Sequence, residues 1–406
     1  MLSARGKQIA GTYDIPWRYA VAPTYNKENN SDGVISFGLA EHGPARDDIA
    51  EFINNKVKFT TNSVCYGSMA SESHRLPAAA AAHINKYFNP LQPVEPDMIV
   101  KASGCSAAGN MLSFALTQPG DGFLVSRPVY GRFELDYGLQ GGVEVVYADT
   151  DPEEAFSVAS ITKYEKALQE AEASGVKIRA LLLVNPHNPT GRCYPTETLI
   201  EILEFCNKHQ LHLISDEIYA LCVFDSGNAD APPFTSVLSL ATPELIDPSL
   251  VHVLYGFAKD FASGGLHLGF IISRNDELRR ALSGMLRFHG PSSAVETIGT
   301  AILEDEDFVA KYTEKSQNNL AYSYQIATNA GFFLYADLSP YLLGDESLNP
   351  PEREFALAQK FLDNGLFLHP GEEHCKEAGW FRLVYTHDED VLREGLQRLF
   401  KTVKSQ

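Results

Sequence analysis

The chain has 406 residues, 44% of them hydrophobic, which is more than one compact core of ordinary size needs and suits two domains. Its formal charge of −19 argues against nucleic acid or an anionic membrane surface as the main partner, because a polyanion demands a basic footprint that this sequence lacks. No run approaches the roughly 20 apolar residues of a membrane span. Met1 to Ala20 interleaves Arg5, Lys7, Asp14 and Arg18 with apolar positions where a secretory signal would be unbroken. The cysteines (Cys65, Cys105, Cys193, Cys206, Cys222, Cys375) show no CxxC spacing, against a zinc site or a disulfide framework. A cytoplasmic chain with reduced thiols and no metal is the expectation.

In chain order, the first forty residues are rich in Asn, Gly and Pro without strong periodicity, which predicts an arm packed on other elements. Gly104–Ala107 is a turn feeding a helix through Met111, Phe114 and Ala115. Strand runs then alternate with helical runs: Gly122–Val125, Val143–Tyr147, Ala180–Val184, Leu211–Ser215, Val251–Tyr255 and Phe270–Ser273. That alternation predicts the α/β class, a mostly parallel sheet covered by helices. Within it, Thr196–His209 places Leu199, Ile200, Leu203, Phe205 and Cys206 at near-helical spacing, with Thr196 as the expected N-cap. The last hundred residues change character: helical stretches Glu352–Asn364 and Asp388–Thr402 flank short strand runs at Gly331–Ala336 and Phe381–Tyr385. They predict a smaller α+β domain. The expected division is an arm and part of the small domain over 1–44, a large domain over 45–288 and the small domain over 289–406.

Three loops carry chemistry. Asn185-Pro186-His187-Asn188-Pro189-Thr190-Gly191 directly follows an apolar strand, and in a parallel sheet ligands bind at the carboxyl ends of strands. The next strand ends in Asp216-Glu217-Ile218-Tyr219, an acid with a phenol three residues on, and a further one leads into Gly256-Phe257-Ala258-Lys259-Asp260, an amine in the corresponding place. Each alone reads as an ordinary turn or a solvated charge. All three in this order point to one site.

With these loops go Gly38-Leu39-Ala40-Glu41, Tyr66-Gly67, Gly104-Cys105-Ser106-Ala107, Pro128-Val129-Tyr130 and Gly379-Trp380-Phe381-Arg382. As an ordered set from about Gly33 to about Leu399, the sequence resembles the fold-type I pyridoxal 5′-phosphate (PLP) enzymes of the class I/II aminotransferase superfamily, and within it the 1-aminocyclopropane-1-carboxylate (ACC) synthase branch. The resemblance implies PLP as cofactor, with Lys259 forming the Schiff base and moving the α-proton once released. It implies Asp216 facing the pyridine nitrogen, Tyr219 and Asn188 on the ring oxygen, and Tyr130 stacked on the ring. Cys105 and Ser106 would meet the phosphate at a helix N-terminus. Arg382 would grip the substrate carboxylate in a bidentate fork, with Gly38 and Glu41 on the substrate side. Tyr66 would reach a neighbour's phosphate in a homodimer with shared sites.

The pattern breaks around the lysine, where the family's Ser-x-Ser-Lys and a following arginine are represented by Gly256, Ala258 and His267. Weaker cofactor retention follows, since an imidazole is a poorer counter-ion than a guanidinium. His42 and Gly43 stand where the ACC synthase branch carries Asn and Gln, and Leu139-Gln140-Gly141-Gly142 lacks its basic residues. A carbanion (quinonoid) at the α-carbon of an amino-acid substrate leads to several products. The expected order is an aminotransferase-like reaction, then a carbon–sulfur or other β/γ-lyase, then an S-adenosylmethionine-using cyclase or synthase. A non-catalytic binding module on the same fold is the rival, against which stand Lys259, Asp216, Asn188, Tyr219 and Arg382 together. Arg287–Ser293 is a candidate pocket wall.

Overall fold

Alternate residues along the central strands go to opposite cores, as the period of two in a pleated strand requires. Leu124, Leu181, Leu183, Leu213, Val253 and Ile272 belong to the core on one face of the sheet. Phe123, Val125, Leu182, Val184, Ile214, Leu254 and Ile271 belong to the core on the other. Both faces are covered, so the strands read as continuous apolar runs.

These contacts come from a computed structural model that describes residues 1–13, 21–66, 73–151, 153–323, 328–342, 347–371 and 377–404; Gly67 and Cys375 lie outside the described residues. The strands are β1 (Ile35–Ser36), β2 (Ile99–Ala102), β3 (Gly122–Arg127), β4 (Glu144–Asp149), β5 (Ile178–Val184), β6 (His212–Asp216), β7 (Val251–Gly256), β8 (Gly269–Ser273), β9 (Phe333–Asp337), β10 (Leu366–Phe367), β11 (His369–Pro370) and β12 (Trp380–Val384). The main sheet has the order β2-β8-β7-β6-β5-β3-β4. Pairs among β3 to β7 are parallel, and β8 runs antiparallel to both its neighbours. This is the mostly parallel α/β sheet expected. β2, four residues long, escaped notice because it offers too few positions for a periodic signal.

The crossover helix spans Thr196–His209 as expected, burying Leu199, Ile202, Leu203 and Cys206, but its N-cap is Pro195, with no side-chain cap. Thr196 is the first helical residue, and its hydroxyl does not cap. At the start of the chain, Ala4–Tyr13 is a helix in place of the irregular arm. Its Ala, Arg, Lys and Gln favour helix intrinsically while forming no apolar stripe to detect. Among the described residues no helix is long and apolar enough to cross a membrane.

A second body of structure joins both ends of the chain. β1 pairs with β10 in parallel, and β12 is central in an antiparallel β11-β12-β9 sheet. Ile35 and Phe37 share a core with Leu357, Phe361, Leu366, Phe381, Leu383 and Leu399. The helices Ser293–Glu304 and Glu306–Ser323, placed after the expected break at 289, put Ile302, Leu303, Val309 and Tyr312 into the core of the main sheet. The change of core therefore falls later than 289. A separate cluster of Ala40, Ile218, Tyr219, Leu320, Phe332, Phe333 and Val384 bridges the two bodies directly under the strand ends.

Candidate active site

A cavity of about 480 Å³ opens at the carboxyl ends of β5, β6 and β7 and is closed on its far side by Gly38–Ala40, His369 and Arg382. Gly38, Cys105, Ser106, Tyr130, Asn188, Asp216, Tyr219, Lys259, His267 and Arg382 all line it. A larger surface cleft, about 830 Å³, lies among Phe52–Lys56, Arg75 and Glu296–Asp307. It holds none of the strand-end groups, and its Arg75 is paired with Glu304 at 2.5 Å. The strand-end cavity is the candidate site.

The turn after β7 carries Lys259 between the buried Phe257 and Phe261. The Lys259 Nζ donates to the Ala40 carbonyl at 2.7 Å and lies 5.9 Å from the centre of the Tyr219 ring. Burial first, and the Arg382 guanidinium second, bring its pKa down from the usual lysine value to about 8. About a tenth is therefore neutral and nucleophilic at pH 7, far more than for an ordinary lysine.

Asp216 ends β6 facing the cavity, while the next side chain, Glu217, points away and is enclosed by Ser215 Oγ and Val237 N, each 3.0 Å from Glu217 Oε1. The period of two thus separates two adjacent acids into a site residue and a structural one. Asp216 accepts from Ile218 N at 3.3 Å. Burial pushes its pKa up to about 7, with Asp136 adding to the rise and Lys259 opposing it. A cation placed in the cavity would restore it to a carboxylate.

Arg382 reaches in from β12 and is 5% exposed. Its Nη2 donates to the Gly38 carbonyl at 2.7 Å and its Nη1 to Asn188 Oδ1 at 3.1 Å. Its guanidinium carbon sits 5.0 Å from the centre of the Phe333 ring. Gly38 has no room for a side chain, since a Cβ would lie 2.3 Å from the Phe367 ring. Asn185, at the start of the same loop as Asn188, is structural: its side chain accepts from Tyr194 N at 3.1 Å and donates to the Thr235 carbonyl at 2.9 Å. Tyr219 is buried edge-on against Phe332 and Phe333. Tyr130 meets Phe133 edge-on at 5.3 Å.

The other end of the cavity is the start of the helix Cys105–Leu116, entered through Gly104 at φ +85°. Only glycine adopts that conformation cheaply, and it aims the first-turn N–H groups into the cavity. β8 presses against this turn at Gly269, where a Cβ would lie 2.8 Å from Gly104 C. His267, at φ +49°, ends a short turn beside it. Gly256 is tightly packed, a Cβ there falling 2.7 Å from the Leu268 carbonyl.

Two expected site residues do not line the cavity. Glu41 pairs with Arg46 at 2.8 Å instead, and Tyr66 is 83% exposed at the surface. The structure also brings in groups that sequence reasoning passed over: Arg132, Asp136 and His369 line the cavity. Asp260 sits behind it, accepting from Leu221 N and Cys222 Sγ, each at 2.9 Å, and so tying the turn after Lys259 to the turn after Tyr219. No spacing rule marks Asp136, which follows Arg132 and Glu134 in a charged run that reads as an ordinary solvated face.

This donor set fits PLP. A depressed amine, a part-buried carboxylate with one weak backbone partner, an aromatic ring and a helix N-terminus face one cavity, although the phosphate end is thinly furnished, since Ala258, Gly264, His267 and Leu268 of the lysine loop line it without a hydroxyl among them. The family profile for "Aminotransferase class I and II" matches residues 70–399. The chain belongs to that family and is a PLP-dependent enzyme of the fold-type I aminotransferase superfamily. The "1-aminocyclopropane-1-carboxylate synthase-like protein 1" of Mus musculus is 30% identical to it over 430 aligned positions, covering 100% of this chain and 84% of the relative. The "1-aminocyclopropane-1-carboxylate synthase 1" of Prunus mume is 30% identical, covering 94% and 81%. In fold, an aspartate aminotransferase double mutant of Thermus thermophilus superposes with a TM-score of 0.69 at 19% identity, over 99% of this chain and 97% of that one.

Proposed function

We propose that this enzyme carries out an aminotransferase-like reaction at the α-carbon of an amino-acid substrate, as a homodimer. The observation that carries the reading is the convergence of Lys259, Asp216 and Arg382 on one cavity, with the lysine's pKa brought down to about 8 by burial and by Arg382. PLP, when bound, withdraws electrons from the substrate's α-carbon and makes its proton acidic. Arg382 takes the substrate carboxylate, its two outer nitrogens exchanging the Gly38 carbonyl and Asn188 Oδ1 for the carboxylate oxygens or sharing with them. Lys259 Nζ, released from the Ala40 carbonyl, removes the proton at the α-carbon and returns it. Asp216 holds a protonated ring nitrogen, a role in which its carboxylate regains the charge that burial alone disfavours. Tyr130 packs on the ring, and Tyr219 and Asn188 are assigned to the ring oxygen. Cys105, Ser106 and His267 take the phosphate. Tyr66, exposed on the single chain, is assigned to the partner's phosphate. Sedimentation equilibrium of wild type and Tyr66→Ala tests the dimer.

A second reading, a ring-forming synthase, is favoured by likeness to the Prunus mume protein over 94% of this chain and 81% of that one. Product analysis separates the two. A transaminase given one amino acid releases 2-oxo acid only in an amount equal to enzyme, and turns over when a second 2-oxo acid is added. Continuous release of a cyclic amino acid from S-adenosylmethionine, or of ammonia and a 2-oxo acid from any amino acid, without an acceptor would overturn the first reading.

A further inference from the structure

The residues after Tyr130 form a π-helical turn over Glu134–Gly138. Such a turn widens the helix locally and re-aims a side chain, which is why π-turns recur at functional sites. It lies hard against the helix whose N-terminus closes the cavity: a Cβ on Gly109 would fall 3.0 Å from the Tyr137 ring, and one on Gly141 would fall 2.3 Å from Ser113 Oγ. These two contacts fix the turn at a set height along that helix. At that height Asp136 enters the cavity beside Ser106, whose side chain opposes the rise in the pKa of the Asp136 carboxyl.

Ser106 has one hydroxyl proton to give. While Asp136 is ionised, that proton is spent on it, and a negative charge stands beside the helix N-terminus. An incoming phosphate then finds backbone N–H groups without the hydroxyl and with a carboxylate opposing it. Ala258 has no hydroxyl to make up the deficit, which leaves His267 as the lysine loop's polar contribution.

We propose that Asp136 limits the affinity of this site for the cofactor's phosphate, and that phosphate binding is linked to uptake of a proton by Asp136, which frees Ser106. The inference rests on placing the phosphate at the start of Cys105–Leu116. The groups facing Asp136 are Arg132 on its own turn, Ser106 and Cys105 on the helix, Tyr130 and Tyr137 beside it, and Asp216 across the cavity; Lys259, His267, His369 and Arg382 line the same space. Burial pushes Asp136 up to about 6, against the pull of Ser106 and Arg132. The sign is therefore set: ionised above about pH 6, Asp136 weakens phosphate binding, and protonated below it, Asp136 permits it.

The test compares PLP with pyridoxal, which shares the aldehyde and ring but lacks the phosphate, so that the ratio of their dissociation constants isolates the phosphate from the chemistry at Lys259. Binding is read by equilibrium dialysis at pH 5.5 and 8. At pH 8, Asp136→Asn is expected to raise the preference for PLP by about tenfold, the effect of one pKa unit of coupling, leaving pyridoxal affinity within twofold. An unchanged or smaller preference overturns the proposal. Ser106→Ala supplies an independent arm: it should cost little of the preference at pH 8, where the hydroxyl proton faces Asp136, and about tenfold at pH 5.5. An equal loss at both pH values overturns the proposal while leaving the phosphate at the helix. If the wild type prefers PLP at neither pH, the placement of the phosphate itself fails, and the role of Asp136 with it.

Discussion

At the amine end of the cavity Lys259, Asp216, Asn188 and Arg382 are each tied to a named partner and backed by the cluster bridging the two bodies of the protein. At the end proposed to take the phosphate, Gly256, Ala258 and His267 stand where the family resemblance implies two hydroxyls and a guanidinium, and an acid, Asp136, enters the cavity. The groups proposed to handle protons and orient the substrate are all present, while those proposed to anchor the cofactor are sparse. In such an enzyme chemistry and cofactor occupancy should fail separately when mutated.

The largest break is expected at the amine end. Lys259→Ala should lower turnover by at least about 10³-fold at saturating PLP, since both attack and proton transfer are lost; turnover within tenfold of wild type would place the chemistry elsewhere. Arg382→Gln should reduce kcat/KM by about 100-fold, chiefly through KM, as a charge-assisted fork is replaced by a neutral amide. It should also move a titration. Neutral Lys259 is the attacking form, so the rate of PLP capture by apoenzyme should rise with pH to a plateau above about 8. Arg382 helps to depress that value, so its removal should shift the inflection upward. A stopped-flow pH profile with the inflection unmoved would show that burial alone sets it.

The strand-end acids and amine were legible because a parallel sheet writes them into the sequence: apolar runs end at Val184, Asp216 and Gly256, and the functional residues follow within a few positions. Lys259 and Asp216 could be found by counting. Asp136 could not, because its entry depends on a π-turn and on glycine contacts between helices distant in sequence. Nor was the pairing of Glu41 with Arg46 legible, since a local ion pair leaves no periodic signature. Packing partners were illegible for a related reason: Ser293–Glu304 follows the main sheet in the chain yet packs back upon it, and helical spacing does not say against what a helix packs.

At the phosphate end the expected effects are smaller and concern affinity. His267→Arg should tighten PLP binding by about tenfold, a permanent fork replacing an imidazole. The backbone at φ +49° is one that histidine adopts more readily than most side chains, so a small loss of thermal stability should accompany the gain. A PLP dissociation constant unchanged in this variant would mean that the side chain at 267 points its charge away from the phosphate.

The smallest expected gain distinguishes the two lost hydroxyls. Ala258 lines the cavity, so Ala258→Ser should tighten PLP binding by about threefold, the net worth of one hydrogen bond. Gly256 has no such freedom. Its Cβ would meet the Leu268 carbonyl at 2.7 Å and Gly269 Cα at 3.1 Å, both backbone atoms of the adjoining strand. Gly256→Ser should therefore cost about 1–3 kcal/mol of stability, as overpacking does, with no compensating gain in affinity. Denaturation and PLP titration of the two serine variants side by side decide between a cavity that has shed one replaceable contact and a sheet that has closed over the other. If Gly256→Ser were as stable as wild type and bound PLP more tightly, the strand would have room to move, and the thin phosphate end would be a matter of side chains alone.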